Sequence, residues 1–492
     1  MKTTHLFILL NLLLWTTFNL FAAQKPVASM KSNSQINYFE TPSQTDSISG
    51  MFQEGMFYGR LRSNTFYFWW NKEDTAHDIH LFTGVGGSLV YKSASLNGFD
   101  FGGALYYSYA ALETKDDQLL GYKAGKDVFS RYNFINAGSK NMAVLGQMYM
   151  RYKPTQKSKL IMGRQIVESF YTKSNDTKMI PNTFDGVVLD TQDIDSTSVK
   201  IAYLAKQKLR DHIENHSVLM VGDANSSSSR EPQWSENDDS AMHKGLTYTA
   251  LKNLNKDTEA PLIIGDIKNK SVQNLSLNSS FYSVPKLISQ VMAEINYKIN
   301  FDGLSITPGI RYIKQFDNGA GAVGGASLKG DVSANDAKGY KNPTSLNSQM
   351  IAARIVARFD KYKINLAYTN ILDEADLVTP WRGFPTSGYT RSMARYNWRA
   401  NTKSYRLEVV RNTSLVGLYN DIYIQASVMY QDDDINKYEG IDTDSIYYYI
   451  GFMQNIEFMD NAQWRFRFGH QNFAKLSDIN NIDTRFELNY FF

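Results

Sequence analysis

The chain has 492 residues, balances 52 Lys and Arg against 49 Asp and Glu for a net charge of +3, and contains no Cys. So small an excess gives no grip on a polyanion, and no nucleic-acid partner is expected; without Cys there is no disulfide framework, thiolate metal site or Cys nucleophile. Aromatic residues make up 13% of the chain although mean hydropathy is −0.38, which suits a surface where lipid-facing and water-facing side chains alternate.

The first segment reads as an export signal: Lys2, an apolar run from Leu6 to Phe21, then Ala22-Ala23, with cleavage near Ala23. A membrane anchor is the other reading of that run. No later window offers about twenty apolar residues, so no membrane helix follows. Any spanning must be done by closed strands, because lipid satisfies no open sheet edge. Residues 1–23 are thus a signal peptide, the Ser-, Thr-, Gln- and Asn-rich residues 24–51 a flexible periplasmic lead-in, and residues 52–492 a transmembrane antiparallel up-and-down β-barrel.

Strand-like segments recur from there to the end. Met56–Trp70, His80–Lys92, Phe99–Tyr109, Met142–Tyr152, Lys159–Val167, Thr183–Leu189 and Val199–Lys206 come first. Leu262–Ile267, Asn274–Tyr282, Ile288–Ile299, Leu304–Phe316, Gln349–Phe359 and Lys363–Ile371 follow. Ser404–Arg411, Asp421–Tyr430, Ile446–Ile456, Gln463–Phe473 and Ile482–Phe492 complete the set. The count is about 18, or about 16 if the weak Leu262–Ile267 segment is dropped, and both are even as such barrels require. Long connections at 110–141, 168–182, 207–261, 317–348, 372–403 and 431–445 are expected outside the cell. Short ones such as Phe301–Gly303 and Asp360–Tyr362 are expected inside. Asp302-Gly303 and Asp460-Asn461 are good tight-turn pairs. Acid clusters such as Asp432-Asp433-Asp434 read as solvated loop charge; divalent bridges to lipopolysaccharide remain the other reading, and neither a metal site nor a cofactor is expected.

In the last strand, Phe492, Tyr490, Leu488, Phe486 and Thr484 share one face, and Phe491, Asn489, Glu487 and Arg485 the other. The first set would face lipid and the second the lumen, while the strand closes the barrel against the first one. A terminal Phe after such alternation also resembles the signal by which the barrel assembly machinery recognises its clients, here through Phe492.

An Arg facing lipid at the bilayer midplane costs about 2–4 kcal/mol, so the alternation assigns each Arg a face. By parity Arg60, Arg62, Arg151, Arg311, Arg354, Arg358, Arg406, Arg465 and Arg467 point inward. Arg395 and Arg399 alternate with Tyr396 and Trp398, and Arg164 is ambiguous because Leu160 and Met162 share its parity. A guanidinium stays charged at any working pH and presents a fork suited to carboxylates. A lumen lined this way concentrates and guides small anions. Structural pairing with inward acids such as Glu408 and Glu487 is the competing reading of the same residues.

Two stretches carry a resemblance. Gly163-Arg164-Gln165 precedes Ser174-Asn175-Asp176-Thr177-Lys178-Met179-Ile180-Pro181-Asn182-Thr183-Phe184-Asp185-Gly186, and Trp381-Arg382-Gly383-Phe384-Pro385-Thr386-Ser387-Gly388-Tyr389-Thr390-Arg391 comes later. With weaker matches, including Ser130-Arg131-Tyr132, these resemble the OprD family of outer-membrane porins from about residue 52 to the end. The resemblance implies an 18-stranded monomeric barrel whose third and seventh outer loops fold inward and narrow the pore. A loose trimer stays open as an alternative to the monomer. It also implies passive movement of small anionic or zwitterionic solutes, such as amino acids or organic acids, past a basic ladder on the wall. Arg391, Arg395, Arg399 and Arg406 match the ladder region. Lys178 sits in the constriction motif where relatives carry Arg, and it offers a point charge instead of a fork. Arg131 and Arg164 fall in matching stretches and join the expected pore lining.

Two other functions compete with transport. Surface loops 207–261 and 431–445 could make the chain a structural or adhesive protein. An enzyme would need a nucleophile, base and orienting group; the 7 His, including His80 and His470, offer no convincing Ser-His spacing.

Overall fold

The computed structural model describes residues 27–30, 35–72, 79–113, 125–130, 133–134, 137–219, 241–412 and 421–492. Eighteen strands form the wall. The first six are β1 (Met56–Trp70), β2 (His80–Lys92), β3 (Phe99–Glu113), β4 (Asn141–Tyr152), β5 (Ser158–Gln165) and β6 (Thr183–Thr191). Next come β7 (Thr197–Lys208), β8 (Leu262–Asn269), β9 (Leu275–Val284), β10 (Ile288–Tyr297), β11 (Leu304–Asp317) and β12 (Ser348–Phe359). The last six are β13 (Tyr362–Ile371), β14 (Lys403–Arg411), β15 (Tyr423–Asp432), β16 (Ser445–Asn455), β17 (Ala462–Phe473) and β18 (Asn481–Phe491). Each wall strand pairs antiparallel with its neighbour in sequence, and β18 returns to β1, so the sheet is closed. The weak segment at 262 is a full wall strand, which rules out 16.

Closure runs from Asn481 opposite Trp70 to Phe491 opposite Arg60. One residue further, Gly59 and Phe492 exchange both backbone hydrogen bonds, at 2.7 and 3.1 Å. A Cβ at Gly59 would stand 2.0 Å from the Phe492 ring, so the ring as placed sits over the bare glycine. The terminal residue is thus paired by its backbone and seated by its ring.

The alternation sorts the side chains as expected. Met148, Ile310, Leu366 and Leu407 are exposed on the outer face. Their sequence neighbours Arg311, Asn365, Arg406 and Glu408 are buried on the inner face. Exposed apolar residues occur on every side of the wall, far beyond the few hundred Å² a soluble monomer exposes in one patch. No helix among the described residues is long and apolar enough to cross a membrane.

The connections at the upper end, opposite the Met56 and Phe492 end, fill much of the lumen. Residues 166–182 form the third upper loop and 372–402 the seventh. Inward positions near the upper ends of the strands are accordingly apolar, as at Leu204, Ile264, Tyr282, Ile313 and Met350. They pack against Tyr171, Trp381, Leu377 and Trp398 of the loops. These inward side chains therefore touch folded loops instead of water, a departure from strict lipid-or-water alternation. Upper connections are also not uniformly long: residues 285–287 join β9 to β10 in a three-residue turn.

The lead-in has structure of its own. Ala28–Met30 pairs antiparallel with Ile36–Tyr38 in a sheet separate from the barrel. Gln44–Thr45 pairs in parallel with Ser95–Leu96 at the lower rim. A six-residue helix, α1 (Ile48–Gln53), follows, capped by the Ser47 hydroxyl accepting from Gly50 N.

Phe466 stacks on Phe452 on the outer face, with ring centroids 6.3 Å apart. Phe466→Arg should cost about 2–4 kcal/mol. Loss of the folded band in unheated gel electrophoresis, and a lowered urea midpoint in detergent, would register it.

Candidate functional site

Loop three is pinned from the wall. The guanidinium of Arg60 and that of Arg62 both grip Asp176, the Arg62 contact at 2.6 Å, and Arg62 also reaches Glu487 at 2.5 Å. Asn64 donates to the carbonyls of Thr177 (3.1 Å) and Lys178 (2.9 Å). All lie on the inner face of β1, one turn of the pleat apart, so the alternation of that strand itself presents three consecutive grips.

Loop seven is tied to loop three and to the opposite wall. Lys173 N donates to Trp381 O at 3.0 Å and Gly383 N to Tyr171 O at 3.0 Å. Gly383 permits this approach, since a Cβ would meet Phe170 O at 2.1 Å. Behind the junction, Tyr282 stands edge-on to both Tyr171 and Trp381, each at 4.8 Å. From the wall, Arg311 donates to Pro385 O and Ser387 O, both at 2.8 Å, and Arg354 to Gly388 O at 2.9 Å. Glu294 balances them, at 2.5 Å from Arg311 and 3.2 Å from Arg354.

These loops leave two cavities. The upper one, about 830 Å³, is walled by eleven Lys or Arg side chains against two carboxylates, Asp433 and Asp483. The lower one, about 730 Å³, lies between β8 and β15 and is lined at the lower rim by the turn 270–274. Four residues line both: Ser387, Arg391, Arg406 and Gln425. They stand between the two cavities, at the neck of the lumen.

Arg391 is the unusual member. Its guanidinium lies 4.7 Å from the Phe384 ring, 5.4 Å from Tyr396 and 5.7 Å from Trp398. Its Nε and Nη1 have no hydrogen-bond partner among the described residues. Desolvation pushes its pKa down to about 10, which leaves it charged at neutral pH. Arg406 is partly neutralised by Glu408, which also accepts from Lys363 (2.9 Å) and Gln425 (2.7 Å).

The sequence-predicted residues divide by this geometry. Arg391 and Arg406 line the neck, and Lys178, Arg395, Arg399, Arg465 and Arg467 the upper cavity. Arg354 and Arg358 line the lower one. Arg60, Arg62 and Arg311 face inward but line neither cavity, because Asp176, Glu487, Glu294 and loop carbonyls hold them. Arg151 is likewise held by Asp100, at 2.9 Å. Arg164 is a correction: it pairs in register with exposed Met148 and is bound to Asp185 at 2.9 Å, on the outer face. Its parity with Leu160 and Met162 prevails because Asp185 neutralises the charge near the upper rim. Arg131 lies outside the described residues. Lys173, Arg210 and Arg382 also line the upper cavity and were missed, while Arg485 lines it from the lumen face to which the alternation of the last strand assigned it.

His470 stacks on Tyr448 at 6.2 Å, and no hydroxyl or carboxylate is hydrogen-bonded to it among the described residues. The acids of 432–444 are engaged within the upper rim, Asp434 by Lys437 (2.7 Å) and Asn401 (2.9 Å), Asp444 by Tyr430 (2.8 Å).

No family model and no curated protein matches the chain in sequence. Solved structures do match in fold. Pseudomonas aeruginosa OccK8 (OprE) aligns with a TM-score of 0.64 at 14% identity, covering 90% of this chain and 99% of its own. The fold is that of the OprD-type barrels. Acinetobacter baumannii OccAB1 aligns at 0.64 and 15% identity, covering 89% of this chain and 96% of its own. Pseudomonas aeruginosa OpdK with vanillate aligns at 0.62 and 10%, covering 89% and 98%. At such identities the likeness is one of fold.

Asp176→Ala would leave two buried guanidinium groups facing each other without their shared acceptor. Removing one partner of a buried ion pair costs about 3–5 kcal/mol. A drop of that order in unfolding free energy, with new protease cleavage between residues 166 and 182, is expected.

Proposed function

We propose that the chain is a passive outer-membrane channel for small solutes, and that it favours carboxylates. The apolar outer belt fits a bilayer, with the upper end toward the cell exterior. The single observation that carries the reading is Arg391: an unpartnered guanidinium at the neck between two cation-lined cavities. The excess of positive charge in the upper cavity draws anions inward and raises their local concentration. At the neck, Arg391 contributes a positive charge whose Nε and Nη1 are buried without a partner among the described residues, and that charge attracts a carboxylate. The rings of Phe384, Tyr396 and Trp398 stand beside it, so an aromatic carboxylate gains stacking as well as charge. OpdK was solved with vanillate, an aromatic carboxylate, and that supports the same class here. The lower cavity, with Glu294 and Glu408 among its cations, accommodates a solute's ammonium group after the carboxylate has passed, which admits zwitterions too.

Reversal potentials across a planar bilayer under a KCl gradient test this. The unaltered protein should favour chloride, and Arg391→Glu should reduce that preference several-fold while the barrel stays folded, because Arg391 lies on loop seven and its Nε and Nη1 make no hydrogen bond on which the wall depends. Benzoate-type carboxylates should block the current from the upper side and matched amines should not. Strong cation preference of the unaltered protein would refute the reading.

A further inference from the structure

The two sides of the lumen's lower end are built differently. Under the lower cavity, on the side of β8 to β14, the turn at 270–274 borders the exit. Under the upper cavity, on the side of β15 to β2, lie the paired amino-terminal strands Ala28–Met30 and Ile36–Tyr38, called the hairpin below. Met30 is fully buried, and Ala28 nearly so, in a cluster with Met453 and Phe491 of the wall; Ile36 and Tyr423 pack against it. Met453 and Phe491 point inward, since their strand neighbours Phe452 and Tyr490 point out. Tyr38 lies 4.2 Å from the inward ring of Tyr58, and Lys92 Nζ stands over both rings at 4.8 and 4.9 Å. Val27 N donates to Asn461 Oδ1 at 2.9 Å, and Tyr58 Oη to Glu40 O at 2.9 Å.

The seat therefore spans β15, β16, β18, β1 and β2. On β16, Tyr449 lines the upper cavity and Met453 is covered by the hairpin. Four residues of strand, about 13 Å, separate them. On β15 the same change occurs between Gln425 at the neck and Tyr423 under the hairpin. From the hairpin the chain passes beneath the rim to the outer face. There Ser95 N donates to Ser43 O and Ala94 N to Met51 O, both at 3.0 Å, and Phe52 of α1 meets outward Phe101 at 5.1 Å. The segment is thus fastened on both sides of the wall's lower edge.

We propose that the hairpin is a plug: it closes the direct descent beneath Arg465 and Arg467 and so compels solutes to turn through the neck at Arg391. This rests on the channel reading. Without the plug, the upper cavity would have a second, wider outlet that bypasses Arg391, and discrimination at the neck would have no effect on flux through it.

Single-channel recording in planar bilayers tests the plug with the full chain. Met30→Glu places a charge in the apolar seat, and Tyr38→Ala removes the ring contact without one; the folded band in unheated gels checks that each barrel forms. Both variants should raise conductance, Met30→Glu by about two-fold or more because two routes then run in parallel. The added current should survive Arg391→Glu in the doubly substituted protein. Unchanged conductance in both folded variants, or an added current that Arg391→Glu abolishes, would overturn the plug while leaving the channel reading intact. An unaltered protein that does not conduct at all would overturn both.

Discussion

Every feature of this molecule depends on one requirement, that each backbone N–H and C=O of the wall find a partner within the sheet. Hydrocarbon supplies none, and an unpaired group there costs several kcal/mol. The eighteen-strand meander meets the requirement only when β18 lies on β1. Closure carries the pairing to the terminal Phe492, seated over Gly59. The bond network then sets a two-residue period around the entire wall. That period is what makes an Arg on one face harmless and the same Arg one position away costly.

Closure creates an interior, and the interior is governed by a second balance. A tube of this size filled with water would pass solutes with little discrimination. Loops three and seven occupy it instead, and they do so as small folded cores, with Tyr171, Tyr282 and Trp381 packed edge to face. Folding a loop into a lumen removes polar backbone from water, so its carbonyls need donors. Arg60, Arg62, Asn64, Arg311 and Arg354 supply donors or charge to the loops from the wall. Much of the inward arginine is thereby committed to holding loops. Arg391, which lines both cavities, is left with its Nε and Nη1 unpartnered among the described residues.

This division explains what could be read from the sequence. The strand pattern was legible almost residue by residue, because period-two alternation is local and the penalty that enforces it is large. Even the weak segment at Leu262 is a wall strand; its neighbours in the sheet, β7 and β9, complete what its own alternation leaves faint. The inward direction of Arg311 or Arg354 was equally legible. Whether an inward Arg meets a solute or a loop carbonyl was not, since that depends on contacts such as Arg62 with Asp176, 114 positions apart. Arg164 fell on the outer face because its partner Asp185 arrives from the next strand. The apolar inward residues Leu204, Ile264 and Ile313 were the one local sign that loops fold inside, for a water-filled lumen has no use for them. The amino-terminal hairpin was hidden by its polar composition; its five side chains Val27, Ala28, Met30, Ile36 and Tyr38 suffice because the wall presents Met453 and Phe491 to receive them.

Arg391 is where these constraints meet. A desolvated guanidinium without an acceptor is unfavourable, and a relaxing protein would turn it toward a carbonyl or an acid. Here the flanking chain cannot move to provide one. Pro385 O and Ser387 O are taken by Arg311, Gly388 O by Arg354, and the Glu408 carboxylate by Arg406, Lys363 and Gln425. The nearby rings stabilise the charge by their faces without satisfying its N–H groups. The result is a buried cation whose Nε and Nη1 are left without an acceptor among the described residues, held in place by bonds that its own neighbours have already made.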